Sequence, residues 1–581
     1  LTDLWHECSA ALLAKAIGEL CFEGLLTPGP GYALRFPDAV YTFTAERTAF
    51  GGWVVDPASV HRTATGVLGD DVVQPCADVQ RFLADALVAL DVDPATTAGF
   101  LAEVTATLAA DVALAATARP SAELASMGRA ELDGHLTGHP WLIANKGRIG
   151  FGAEDVARYA PESRTPLRLP WLAVHRGLAE FRGTSELSEE AVLRHELDPM
   201  TVERFTEVVQ ELGVDPRAYV WLPVHPWQLD HVVRTLWAPE LATGRIVELG
   251  EGPDWYLPTQ AIRTMSNVDD PGRFQVKLPL RVLNTSVYRG IPPHCTAAAP
   301  VVTQWLRGLW DADKLIGEWG TALLGEVASV TVRHPVLSRA GAVPYQWLET
   351  LGCIWREPVV ERAGERSWSL AAVLHVDRDG RPLVRSFVGS ADPEVWFSTL
   401  LRVLLRPLLH LLYTYGITVN PHGENVVVIT DGQGMPVRVA LLDLVDDVNL
   451  SVDRVPERGP EPDAHDHVLP RKPWRVLRQY IVDALLIGVF RPLARLLDVP
   501  GERFWGLVRG EVDAYRTRFP SLGARMDAGS LTEAEFLRFP LNSYRLTLGY
   551  RDLAARPPVP TTGTVPNPLH HVTAVPPHDG W

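Results

Sequence analysis

His422-Gly423-Glu424-Asn425, then Val426-Val427-Val428-Ile429, a turn at Asp431-Gly432-Gln433-Gly434, and a second apolar run over 436–442 that ends at Asp443: this stretch decides how the chain is read. The β-branched run and the glycine-containing turn predict a hairpin. Pairing of its strands brings Asn425 and Asp443 to one end, where an amide and a carboxylate offer hard oxygens to Mg²⁺ beside nucleotide phosphates. Taken alone, the segment reads equally well as a solvated hairpin with polar caps.

Protein kinases place an Asn and an Asp on either side of a short hairpin for the same reason. Before the hairpin, 396–415 is an apolar helix that Pro407 should kink, because proline lacks the N–H that bonds to the preceding turn. After it, 455–473 is proline-rich and reads as a loop or cover, and the tail from 557 onward is irregular. Toward the N-terminus, apolar spacing over 4–25, 79–90 and 100–116 predicts helices, so the first 160 residues read as mostly helical. A first boundary falls at 163–170. Helical spacing over 188–212 then gives way to strand-like pieces at 219–224 and 274–287. A second boundary is placed at 337–343, before strand-like 353–355 and 369–375. The class is α+β, in three parts: 1–165, 166–340 and 341–581.

The chain has 581 residues, more than one core normally organises. Its net charge of −16, with acidic residues dispersed, opposes nucleic-acid binding, which needs clustered Lys and Arg. Cys8, Cys21, Cys76, Cys295 and Cys353 are odd in number and contain no C-x-x-C pair, so neither a disulfide framework nor a thiolate zinc site is expected. No apolar run free of charges is long enough for a bilayer span; Glu103 and Asp111 interrupt the Ala-rich 101–116. No basic segment followed by an apolar stretch and a cleavage site is recognisable near residue 1. A cytoplasmic protein without a membrane partner is expected.

Two further constellations carry chemistry. Gly138-His139-Pro140 and Asn145-Lys146-Gly147-Arg148-Ile149-Gly150-Phe151 place an imidazole, an ammonium and a guanidinium on a glycine-interrupted loop suited to an anion, although no Walker pattern is present. Basic residues on a solvated loop are the plainer reading. Arg263-Thr264 comes next, then Lys277 and Arg281, and then Thr285 and Arg289. On a strand, Thr285 and Arg289 would share a face and form a cationic wall for a carboxylate, or a charged sheet edge. His225-Pro226-Trp227-Gln228 reads as a core segment, and His465-Asp466-His467 lacks a third ligand for zinc. No G-x-S-x-G nucleophile elbow occurs.

In order and spacing these motifs, with the late Asn567-Pro568-Leu569, resemble the siderophore synthetases that act independently of nonribosomal peptide synthetases, the aerobactin-synthetase-like family. The resemblance covers most of the chain. It implies a cupped hand of thumb, fingers and kinase-like palm that uses ATP and Mg²⁺ to adenylate a carboxylate, after which an amine or hydroxyl displaces AMP. A homodimer is also implied. By that resemblance His139, Lys146, Arg148, Arg263 and Thr264 contact nucleotide phosphates, with Lys146, Arg263 and His422 in catalysis. His422 and Glu424 line the nucleotide and carboxylate region, Thr285 and Arg289 face the carboxylate, and Asn425 and Asp443 hold the metal.

This chain departs from the common family pattern at Leu142-Ile143 (a second His-Pro), Ala144-Asn145 (Ser or Thr before the Lys), Ala261 (Ser), Asn420 (an acid) and Leu442 (Arg). Ala-Asn-Lys-Gly-Arg resembles the subgroup that couples elaborated carboxylates such as citrate monoamides or succinylated hydroxamates, with polyamine or hydroxamate partners. A kinase-like phosphotransferase and a non-catalytic nucleotide or carboxylate binder are the competing readings.

Overall fold

The computed structural model describes residues 2–64, 73–285, 287–462, 468–550, 553 and 561–578. His465-Asp466-His467 and residues 551–552, 554–560 and 579–581 lie outside them. In the described part of the tail the irregular expectation is corrected, because Thr564–Pro566 pairs with Glu535–Leu537 and Pro568–His571 is a helical turn capped by Asn567. Helices and strands are mixed throughout, and three large clusters of buried apolar side chains organise them.

The first cluster joins the helices Thr2–Phe22, Val79–Ala89 and Pro94–Ala116. Asp78 and Asp93 cap the second and third of these helices by accepting backbone N–H bonds of 2.9 to 3.1 Å. The helices expected over 4–25, 79–90 and 100–116 form, and a small sheet that was not expected joins them. Ala33–Phe36, Ala39–Thr42, His61–Ala64 and Val73–Pro75 form an antiparallel sheet against the helices. These strands are three or four residues long, too short for the alternation that marks a strand in sequence.

The second cluster lies on an eight-stranded antiparallel sheet. Its order is Ala179–Gly183, Glu326–Val332, Gly352–Arg356, Gln275–Lys277, Thr264–Asn267, Ile246–Pro258, Leu167–His175, Tyr219–Pro223. Its first strand in the chain, Leu167–His175, begins within the expected 163–170 boundary. The sheet also extends past 337–343, because Gly352–Arg356 sits between Glu326–Val332 and Gln275–Lys277. The helix Pro293–Ala312, by contrast, buries its apolar face mainly in the third cluster, so the chain crosses between the two regions more than once.

The third cluster surrounds the helix Pro393–His410, which continues as a π-helical turn, Leu411–Tyr415, one turn beyond Pro407. The expected hairpin is formed by Val426–Thr430 and Pro436–Leu441, with Val426 opposite Leu441. Two helical segments, 94–116 and 393–415, are long and apolar enough to cross a bilayer by length and composition when a few charged residues are allowed, although each carries the charges that kept it from being read as an uncharged span. The second of these is packed inside the protein. In the first, Glu103 pairs with Arg545 and Asp111 with Lys146.

His225 is fully buried in the second region, where its Nδ1 accepts the Trp227 N–H at 3.1 Å, as the core reading expects. Burial lowers its pKa to about 3. Below the ordinary histidine value near 6.5 the unfolded chain therefore takes up a proton that the folded chain does not, and stability falls as pH falls. His225→Asn keeps an acceptor for the cap and removes the titration. Denaturant unfolding of this variant should show a loss between pH 7 and pH 5 that is smaller than in the parent by about 2 kcal/mol. Equal losses would remove His225 as a source of acid lability.

Candidate active site

The site forms where the hairpin end meets the middle of the eight-stranded sheet. Thr264 stands opposite Lys277 on neighbouring strands, and Arg263 immediately precedes the first of them. Lys277 is 3% exposed, and its ammonium is a centre of charge: it donates to Asp443 and, at 2.9 Å, to Asp446, with Glu326 3.5 Å away. Arg263 donates to Asp446 Oδ2 at 3.3 Å and to the carbonyl of Gly290. Burial opposes the charge on Lys277, but the three carboxylates outweigh it and raise its pKa. Burial likewise opposes the charge on Asp443, and Lys277 outweighs it, so this carboxyl stays below the ordinary range. Asp447, also buried beside Asp443 and Asp446, is pushed up to about 8.

Asn425 and Asp443 do flank one end of the hairpin, where Leu442 N–H donates to the Asn425 carbonyl at 3.2 Å. Asn425 donates to Asp447 at 2.7 Å and to the Asn420 carbonyl at 3.3 Å, which leaves its Oδ1 as the atom able to meet a cation. Lys277 holds Oδ1 of Asp443, so Oδ2 has the same capacity. Among the described residues no group of three or more His, Cys, Asp or Glu is arranged as a metal cage. Two protein oxygens beside a phosphate site nevertheless suit Mg²⁺, which commonly takes one or two protein ligands and completes its shell with water and phosphate oxygens.

Alongside lies a cavity of about 940 Å³ lined by His139, Asn145, His422 and Glu424 together with the N-terminal helix. The two histidines present the same face. Nδ1 of His139 accepts the N–H groups of Trp141 and Leu142 at 3.2 and 3.3 Å, and Nδ1 of His422 accepts that of Glu424 at 3.2 Å. In both rings Nε2 therefore carries the proton. Burial, then the neighbouring Lys15, His422 and Arg289, hold His139 at about 3. His422 is also lowered, by burial first and Arg289 in addition, against Glu424 and Asp443. These rings are neutral hydrogen-bond donors at ordinary pH. Gly423 is required where it stands, since a Cβ there would lie 2.8 Å from the Ala371 backbone.

Other expected residues are placed differently. Arg148 forms a buried two-pronged ion pair with Glu162, so its guanidinium is committed within the protein. Lys146 is 3% exposed and donates to Asp111 at 2.7 Å and to the Thr137 carbonyl at 2.5 Å, so its charge is likewise matched. In this structure the 138–151 loop thus holds both its cations in ion pairs, with Asn145 donating to the carbonyls of Thr137 and His139. Thr285 lies in the turn of the Leu280–Asn284 and Val287–Arg289 hairpin with a left-handed φ of 64°. Arg289 reaches it across that turn at 2.7 Å, and not through strand alternation. Asn567 is a helix cap, bonded to Leu569 N–H and to the carbonyls of Leu531 and Glu533.

Sequence reasoning assigned no role to Lys15, which donates to the His139 carbonyl at 3.1 Å and whose pKa is lowered to about 8 by burial and Lys146. It also passed over Asp446, Asp447 and Glu326.

Comparison with known proteins places this arrangement in a class. Residues 129–375 match the model of the IucA / IucC family, and residues 394–554 that of the ferric iron reductase FhuF-like transporter. The chain is 37% identical over 98% of its length, and 96% of the relative's, to the rhizobactin siderophore biosynthesis protein RhbF of Rhizobium meliloti (strain 1021). To the aerobactin synthase of Escherichia coli it is 32% identical, over 98% of both chains. The solved aerobactin synthetase IucC from a hypervirulent pathotype of Klebsiella pneumoniae superposes with a TM-score of 0.85 at 30% identity, covering 98% of this chain and 99% of that one. The chain belongs to the IucA / IucC family.

Proposed function

We propose that the protein is an ATP-dependent ligase of siderophore assembly. It adenylates a carboxylate, a citrate derivative or succinylated hydroxamate, and condenses it with an amine or hydroxyl, releasing AMP and pyrophosphate. Family membership and the naming of its relatives as siderophore or aerobactin synthases support the reaction class. The observation that carries the mechanism is a pair of neutral imidazoles on one cavity, both acted on by Arg289, with Asp443 of the Lys277 charge cluster acting on His422.

Carboxylate attack on the α-phosphate joins two anions, so fixed cations and N–H donors must offset charge that builds on the phosphoryl oxygens. Arg263 and Lys277 supply charge, His139 and His422 donate from Nε2 without giving up a proton, and Thr264 and Glu424 complete the nucleotide contacts. Lys146 and Arg148 act through the loop they brace. Arg289, oriented by Thr285, holds the carboxylate in reach. Asn425 and Asp443 would hold Mg²⁺, which when bound neutralises phosphate charge. The three regions form thumb, fingers and kinase-like palm, and the working enzyme is a cytoplasmic homodimer.

With ATP, Mg²⁺, a panel of citrate monoamides and succinylated hydroxamates, and diamines, turnover should yield AMP and pyrophosphate in equal amounts. ADP as the only nucleotide product would replace this reading with phosphotransfer. Nucleotide binding without any turnover would leave a binding protein.

A further inference from the structure

The wall of the 940 Å³ cavity away from the hairpin is built by the helix Trp474–Tyr480 and its π-helical continuation Ile481–Phe490. Gln479 and Asp483, four residues apart, fall on one face and both line the cavity. Gln479 is 8% exposed, and its Nε2 donates to Asp483 at 2.8 Å and to the Leu537 carbonyl at 2.9 Å. Both amide hydrogens are thereby used, which settles the orientation of the amide, and its Oε1 is left buried without a hydrogen-bond partner.

Apart from Glu424, which lies at the His422 end of the cavity and is assigned to the nucleotide above, the other carboxylates on the cavity are already matched. Glu7 pairs with Arg378 at 3.1 Å, Asp111 pairs with Lys146, and Asp377 accepts the backbone N–H groups of Ser121 and Arg381. Asp483 has the Gln479 amide but no ion pair among the described residues, although Lys472 lines the same cavity. Around it Val476, Ala484, Gly488, Val489 and Pro492 present apolar surface. The result is a carboxyl beside an uncompensated carbonyl dipole on a hydrocarbon wall. Such a place is unfavourable for a carboxylate until a cation arrives, in keeping with burial raising the Asp483 pKa well above the ordinary value.

We propose that Asp483, positioned by Gln479, anchors the distal ammonium of an α,ω-diamine nucleophile whose carbon chain follows the apolar wall toward the adenylate. This assignment rests on the ligase reading above. The attacking nitrogen must be unprotonated, whereas the far nitrogen of a diamine remains charged. A carboxylate reached only by the far end therefore selects length and charge without deactivating the nucleophile.

The test is steady-state kinetics with 1,5-diaminopentane and 1-aminopentane on the parent enzyme, Asp483→Asn and Gln479→Ala. The parent should favour the diamine by about 10-fold to 100-fold in kcat/KM, the worth of a charge-assisted hydrogen bond. Asp483→Asn should erase that preference through KM, with kcat for the diamine kept. Gln479→Ala should weaken the preference in the same direction and serves if Asp483→Asn does not fold. A preference that survives both substitutions, or a parent enzyme that treats the two amines alike or uses neither, overturns the subsite. Carboxylate-dependent exchange of pyrophosphate into ATP needs no amine and is measured in parallel. Its absence in the parent enzyme would sink the ligase reading itself, whereas exchange without diamine preference sinks only the anchor.

Discussion

Lys277→Met should sharply slow turnover and cost about 3 to 5 kcal/mol of stability, the usual penalty for removing one member of a buried charge cluster. Asp443, Asp446 and Glu326 lose the ammonium they surround; Asp446 keeps its ion pair with Arg263 at 3.3 Å, while Asp443 and Glu326 are left with weaker influences, that of Arg356 among them. The rate should fall by about 100-fold to 1,000-fold or more, as when one preorganised donor is removed from a site of developing negative charge. The pH dependence separates this from simple packing loss. In the parent, Lys277 keeps the folded-state pKa of Asp443 low, so its contribution is present above the unfolded carboxyl value and disappears only in acid. Without Lys277 that pKa rises, the folded state takes up a proton at higher pH, and the deficit relative to the parent should shrink as pH falls from 8 to 5. Urea unfolding at both pH values measures this. A deficit independent of pH would mean that the methylene stem, not the charge, matters. Lys277→Met with Asp443→Asn should recover part of the stability and none of the activity.

The value of Lys277 was hidden in sequence because its partners lie 166 and 169 residues further along the chain. What could be read directly was local. The Asn425–Asp443 hairpin follows from a β-branched run, a glycine turn and a fixed strand register, all within twenty residues. His225 was legible as a core residue from its apolar flanks. The partners of Arg148 and Lys146 were hidden too: a basic residue on a glycine loop reads as exposed, and only the fold brings Glu162 and Asp111 against it. The N-terminal sheet escaped because its strands are shorter than the window in which alternation can be recognised. Membership of the family came from the order of several motifs, while the identity of the residues that hold charge came only from the packing of distant segments.

Arg289→Ala should impair the carboxylate substrate far more than the nucleotide. Arg289 reaches Thr285 across a hairpin turn and acts electrostatically on both His139 and His422, so it stands between the carboxylate wall and the imidazole donors. A guanidinium meets a carboxylate through two parallel N–H bonds, and losing such a contact should lower kcat/KM for the carboxylate by about 30-fold to 1,000-fold, on the order of 2 to 4 kcal/mol. Arg289→Lys keeps the charge but not the fork, so it should recover only part of the loss. Thr285→Ala should move the same parameter in the same direction by a smaller factor, because the hydroxyl orients the guanidinium and does not replace it. The apparent affinity for ATP should change little in all three, since Arg263 and Lys277 stay in place. The measurement is a pair of saturation curves for each variant, one in carboxylate and one in ATP. If Arg289→Ala raises KM for ATP and leaves the carboxylate curve unmoved, Arg289 belongs with the phosphate contacts, and the carboxylate must be held by another part of the cavity.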